Sequence, residues 1–149
     1  MSADNKISFK IATPEKIVYE DEIDQISVDT KMGQITILVD HLPLVSTLVP
    51  GELLLKKGNE EFPIAISGGF IEVRKGNEVI VLADTAERFE EIDEIRAQEA
   101  IEKAKKVMKE KDREAVDYTA LSAKLEKELA RMKVKKKYRK IRAQPPTNN

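Results

Sequence analysis

Cysteine and tryptophan are absent from this chain of 149 residues, and histidine occurs once. Without cysteine there is no disulfide framework, no thiolate nucleophile and no thiolate metal site, and a reducing location fits. Aromatics make up only 5% of the residues, which argues against a carbohydrate-binding module built on exposed aromatic platforms. The lone histidine, His41, has no second histidine or carboxylate cluster at metal-ligand spacing, so no metal site is expected and a turn or packing role is the simpler reading. No Walker or Gly-x-Gly-x-x-Gly pattern surrounds Gly68 and Gly69, and no Ser, His and Asp constellation is present. No catalytic residue is assigned. The longest stretch without Asp, Glu, Lys or Arg runs from His41 to Gly51 and contains Pro43 and Pro50. That is far short of the roughly 20 apolar residues of a membrane span, so no direct membrane insertion is expected. The opening MSADNKISFK has no apolar core segment and no expected secretory signal.

The second half is as poor in chain-breaking residues as the first is rich in them. All six glycines lie at or before Gly76, and neither glycine nor proline occurs from Glu87 to Arg142. Turns between strands need these residues and helices exclude them, so the architecture should change near Asp84. Charge divides at the same place. Residues 1–86 carry 8 Lys+Arg against 14 Asp+Glu, a balance of −6, and residues 87–149 carry 18 against 13, a balance of +5.

The first half reads as strands. Ile7 to Ala12 and Ile23 to Thr30 alternate apolar and polar residues as half-buried strands do. Further strands are expected at Gln34 to Val39, Glu52 to Lys56, Phe62 to Ser67, Phe70 to Arg74 and Glu78 to Ala83. Turn chemistry separates them at Met32-Gly33, Pro50-Gly51, Gly58-Asn59 and Gly76-Asn77. Seven strands in about 85 residues suggest two packed sheets, a β-sandwich over residues 1–84.

The second half reads as two helices. Phe89, Ile92, Ile95 or Arg96, Ala100, Ala104 and Val107 recur at helical spacing, with Asp84 or Thr85 placed to cap and Glu87 in the first turn. A charged connector, KEKDRE from Lys109, precedes a second stripe through Tyr118, Leu121, Leu125, Leu129 and Met132, with Asp117 as its cap. The expected class is α+β, an N-terminal β-sandwich followed by an antiparallel two-helix hairpin over residues 85–134. An alanine-rich seam stabilises such a hairpin weakly, which suggests a movable element. Residues 135–149 read as a flexible basic tail.

Several segments, in order, carry a resemblance: VYEDEID (Val18 to Asp24), GQITIL and DHLPLV (Gly33 to Val45), SGGFIEV (Ser67 to Val73) and VLADTAERFEEIDEIRA (Val81 to Ala97). From about Ile7 to Val134 the chain resembles the epsilon-subunit family of the F-type, proton-translocating ATP synthase. The resemblance implies a non-catalytic rotor subunit on the cytoplasmic face of the cell membrane, with no cofactor required. Its sandwich would join the gamma subunit to the c-ring, and its helices would extend into the alpha/beta catalytic head to inhibit ATP hydrolysis. Gln34 and His41 stand where the family contacts the c-ring and gamma, although Gln34 replaces a common carboxylate and Asp40 precedes His41.

Ile92-Asp93-Glu94-Ile95-Arg96-Ala97 is similar to the family's I/L-D-x-x-R-A signature, which implies ATP as a candidate regulatory ligand. By that resemblance Glu87, Ile92, Asp93, Arg96 and Ala97 would meet the nucleotide from the first helix, and Lys127 and Arg131 from the second. The bland reading makes Asp93 and Arg96 a surface pair worth about 0.3 kcal/mol. Arg131 to Arg142 holds 8 basic residues in 12, and a nucleic-acid-binding protein using this basic helix is the alternative. It is disfavoured because the sandwich is acidic and Tyr138 is the run's only aromatic residue.

Overall fold

A computed structural model describes residues 5–109 and 118–143. Nine strands precede two helices: β1 (Ile7–Ala12), β2 (Ile17–Ile23), β3 (Gln25–Thr30), β4 (Gly33–Ile37), β5 (Leu44–Lys57), β6 (Glu60–Ile66), β7 (Gly69–Arg74), β8 (Glu78–Ala83) and β9 (Ala86–Arg88). A 3-10 turn (Phe89–Glu91) leads to α1 (Glu94–Lys109), and α2 (Tyr118–Ala143) completes the fold. The expected connector after Lys109 and Asp117 lie outside the described residues.

The strands follow the order β2-β1-β8-β7-β5-β3-β4, with β6 against β5 and β9 against β6. β1 and β8 are parallel and every other pair is antiparallel. The sandwich arises because β5 serves both layers, pairing with β7 over Leu44 to Leu48 and with β6 over Gly51 to Lys57. Alternate residues of the strands, among them Ile7, Phe9, Ile11, Leu53, Leu55, Ile64, Ile71 and Val81, fill one buried core between the layers. This period-two burial is what the alternation of β1 and β8 requires.

Pro50-Gly51 is therefore not a turn between strands. It lies within the 14 residues of β5, where Thr30 faces Leu48 while Val28 faces Leu53, so the chain bulges over the residues between. A Cβ on Gly51 would stand 2.6 Å from Asp29 Oδ2, which explains glycine at this point. The expected strand from Ile23 to Thr30 is likewise divided at Asp24, whose carboxylate accepts from the Gly58 amide (2.6 Å) and from Lys6. β2 escaped the sequence reading because its Glu20-Asp21-Glu22 run hides its period; it forms one edge of the sheet.

The chain stays in the sheet beyond Asp84. The Thr85 hydroxyl donates to Ser67 Oγ (2.7 Å), and β9 pairs with β6, so neither Asp84 nor Thr85 caps a helix and Glu87 lies on a strand. Asp93 caps α1 instead, its Oδ1 accepting from the Arg96 amide at 3.1 Å. The later start shifts the buried stripe to Ala97, Ile101 and Ala104 and leaves Ile95 exposed. Arg139, late in α2, donates to Glu94 Oε1 (2.6 Å) at the start of α1, as antiparallel helices require. The helix also runs through the expected boundary at 134 and ends at Ala143.

Candidate regulatory interface between α2 and the sandwich

Cross-strand pairing places three residues in one row: Glu52 on β5 faces Ala65 on β6, which faces Glu87 on β9. Paired residues point to the same side of a sheet, here the side away from the core, and Leu54 joins them there. Two carboxylates thus flank one small apolar residue. Their separation is two strand spacings, about 10 Å.

α2 matches this row. Arg131, Val134 and Tyr138 share a helix face, and seven residues of rise separate Arg131 from Tyr138 by about 10 Å. Arg131 Nε and Nη2 donate to the two oxygens of Glu87 (2.5 and 3.0 Å), while Nη1 donates to Glu128 Oε2 (2.6 Å). At the other end the Tyr138 hydroxyl donates to Glu52 Oε1, and Lys137 Nζ donates to Oε2 at 2.9 Å. Between them Val134 packs with Ala65, Phe89, Ile92 and Tyr138 in a small buried cluster. Lys135 Nζ donates to the Phe89 carbonyl (3.1 Å) and lies 4.1 Å from the centre of that ring.

The electrostatics follow from burial. Glu52 and Glu128 are only 6% and 5% exposed, and a buried carboxylate is tolerable only when paired and hydrogen-bonded. Burial, ahead of the hydrogen bond to Glu52, pushes the Tyr138 phenol well above its ordinary range. Burial alone would lower Arg131, but hydrogen bonds to Glu87 and Glu128 outweigh it and raise its pKa.

The structure brings only part of the expected nucleotide constellation together. Glu87 and Arg131 meet each other. Ile92 is buried against Val134, and Ala97 is buried between the helices with Ile101 and Met132. Asp93 and Arg96 form a separate surface pair, 3.6 Å apart, with the Arg96 side chain 83% exposed. Lys127 is half-buried. A groove of about 540 Å³ between α1 and α2 is lined by Glu94, Ile95, Gln98, Glu99, Met132, Lys136 and Arg139, and by none of the seven residues expected at a nucleotide. Gln34 lies within β4, where it faces Asp29 beside the turn into the strand, whereas His41 lies past the strand's end, with Nδ1 2.7 Å from the Leu42 carbonyl.

Glu52 was missed by sequence reasoning. Its signal was a single carboxylate ahead of three leucines in a strand, a pattern that asks for a partner. Among the described residues no group of His, Cys, Asp and Glu could hold a metal ion, and no helix is long and apolar enough to cross a membrane.

Comparison with known proteins gives the same division of the chain. The beta-sandwich domain of the ATP synthase delta/epsilon chain matches residues 6–89, and its long alpha-helix domain matches residues 90–136. An ATP synthase epsilon chain of Chloroflexus aggregans is 43% identical over 128 residues, covering 86% of this chain and 91% of the relative. One of Dehalococcoides mccartyi is 41% identical over 135 residues, covering 91% and 96%. A chain in the Euglena gracilis mitochondrial ATP synthase, in an OSCP/F1/c-ring structure, shares the fold with a TM-score of 0.66 at 21% identity, covering 92% of this chain and 81% of its own. The nucleic-acid alternative finds no support, and four cations of the basic run are already paired within the molecule. With both of its domains matched in order over nearly the whole described chain, the protein belongs to the ATP synthase delta/epsilon family.

Proposed function

We propose that the chain is a non-catalytic central-stalk subunit, held at the cytoplasmic face of the cell membrane through its partners. Its sandwich binds the gamma subunit and the c-ring and transmits ring rotation. Its helices, when they leave the sandwich and extend into the alpha/beta catalytic head, inhibit ATP hydrolysis. The observation that carries this reading is an apolar row on the outer face of the sheet. Ile17, Ala12, Leu82 and Phe70 are successive cross-strand partners over four strands, and Ile17, Leu82 and Phe70 are more than half exposed. A contiguous exposed apolar strip marks a protein interface.

The c-ring contact is assigned to the loop after β4, where Leu38 and Leu42 are exposed. That loop is held in shape from outside. The Asp40 amide donates to Asn77 Oδ1 (2.6 Å) and Asn77 Nδ2 donates back to Asp40 Oδ1 (3.3 Å), tying it to the β7–β8 turn. Co-purification of the full chain with the gamma subunit tests the assignment. Phe70→Asp should abolish it while the sandwich stays folded, and undiminished co-purification would refute the docking face.

A nucleotide-responsive form of the helical switch is a second reading, carried by Arg96. Its guanidinium is largely exposed and, among the described residues, is ion-paired with Asp93, leaving donors for a phosphate.

A further inference from the structure

Lys137, Tyr138 and Arg139 follow the last position covered by the family's long-helix domain. All three nevertheless reach back to earlier parts of the chain, Lys137 and Tyr138 to Glu52 and Arg139 to Glu94. Tyr138 is 3% exposed, so the contact is a seated one rather than a surface encounter. Glu52 makes the arrangement conditional. With α2 docked, its carboxylate is buried and its two oxygens are satisfied by Tyr138 and Lys137; with α2 away, water would solvate it. Removing either donor leaves a buried charge underbonded in the docked state only, and the same loss does not arise when the helix is free.

We propose that Lys137 and Tyr138 form a latch that closes on Glu52 and sets how often the helical pair leaves the sandwich, while Arg139 ties α2 to α1 through Glu94. The inference rests on the reading of the helices as a movable element. Arg131 anchors one end of the row and the latch closes the other, so the last turns of α2 act as a retaining clip on an inhibitory arm. Differential stability is the whole effect, because only the docked state contains the contact.

The full chain allows a direct test, because it contains no cysteine. Single cysteines at Asn59→Cys and Lys140→Cys, both exposed sites, carry spin labels whose separation reports the docked and undocked populations. Glu52→Gln and Tyr138→Phe should each raise the undocked to docked ratio by about tenfold, the effect of losing a charge-assisted hydrogen bond from a buried site. The double variant should exceed the stronger single variant only slightly, since both remove one contact. Lys137→Ala, at a half-exposed side chain, should raise the ratio less and keeps the test valid if a buried substitution disturbs folding. Unchanged distance distributions in all three variants would overturn the latch. ATP hydrolysis by the reconstituted complex separates the two readings: a raised undocked population with unaltered hydrolysis leaves the latch standing and removes the inhibitory role.

Discussion

Arg131 on α2 grips Glu87 on β9 through two parallel hydrogen bonds, Nε to Oε2 and Nη2 to Oε1, across 44 residues of sequence. The third guanidinium nitrogen holds Glu128, so one planar cation satisfies two carboxylates and joins the helical half to the sheet. The row Glu52, Ala65, Glu87 meets Tyr138, Val134 and Arg131 along its length. Arg131 and Lys137 of the basic helix thus meet carboxylates of the sheet at the two ends of one interface.

Replacing Arg131 tests the grip. Arg131→Ala leaves buried Glu128 without its partner and should destabilise docking of α2 by about 3 kcal/mol. Arg131→Lys keeps the charge but loses the fork, and should cost about half as much. Hydrogen exchange of the α2 amides measures both; equal effects of the two variants would show that planar geometry is irrelevant here.

A truncation separates coupling from regulation. Cutting after Asp84 would delete β9 and leave the Ile64 to Ile66 edge of β6 unpaired, whereas cutting after Arg88 preserves the sheet. The protein ending at Arg88 should remain folded by circular dichroism, and the reconstituted complex carrying it should hydrolyse ATP faster than the one with the full chain. Equal rates would argue against inhibition by the helices.

Calorimetry with ATP on the full chain examines the nucleotide reading. Binding is expected to fall at least several-fold in Arg96→Ala, while Lys127→Arg should strengthen it by supplying a planar phosphate donor. Arg131 must release Glu87 or Glu128 before it can touch phosphate. Glu87→Gln should therefore improve affinity if Arg131 takes part, and an absence of heat at millimolar ATP would assign these residues to structure alone.

The pH dependence has two arms. The Tyr138 pKa is raised in the fold above its ordinary value of 10.0, first by burial and then by the hydrogen bond to Glu52. A raised pKa means that its contribution is present in full below pH 10 and is lost as pH climbs through the folded value. Docking measured by exchange should therefore weaken above pH 10, and Tyr138→Phe should abolish that alkaline component. On the acid side, Asp21 is lowered chiefly by its hydrogen bond from Lys57 and Asp24 chiefly by the Gly58 amide, both from 3.8. Their contributions are present above pH 3.8 and disappear as pH falls through the lowered values, so these loop-tying contacts of the sandwich should loosen only below pH 3.8.

Gly69 has φ +128°, and a Cβ there would lie 2.0 Å from the Leu82 carbonyl oxygen and 2.8 Å from Ala83 Cα. Both neighbours are backbone and cannot swing aside. Gly69→Ala should lower the stability of the sandwich by about 3 kcal/mol in chemical denaturation, and near-native stability would contradict so close an approach of β7 and β8.

What the sequence determined by itself was whatever local chemistry controls. The strands Ile7–Ala12 and Glu78–Ala83 follow from alternation, and the passage from sheet to helix follows from the loss of glycine and proline after Gly76. Glu87 and Arg131 were named through the resemblance as candidate nucleotide contacts, without the ion pair they make with each other, whereas the surface pair of Asp93 and Arg96 was read from their spacing. The tertiary structure decided the rest, because it depends on partners distant in sequence. β5 runs through Pro50 because β7 and β6 receive its two ends, and Glu87 is a strand residue because β6 offered an edge. Ile95 is exposed and Ala97 buried because Asp93 delays the helix and resets its phase. Leu129 has the apolar character of a core residue yet is 43% exposed, whereas charged Glu128 beside it is buried. Hydrophobicity ranks side chains singly, whereas the guanidinium of Arg131, one helical turn on and itself held by Glu87 of the sheet, makes burial of that carboxylate tolerable.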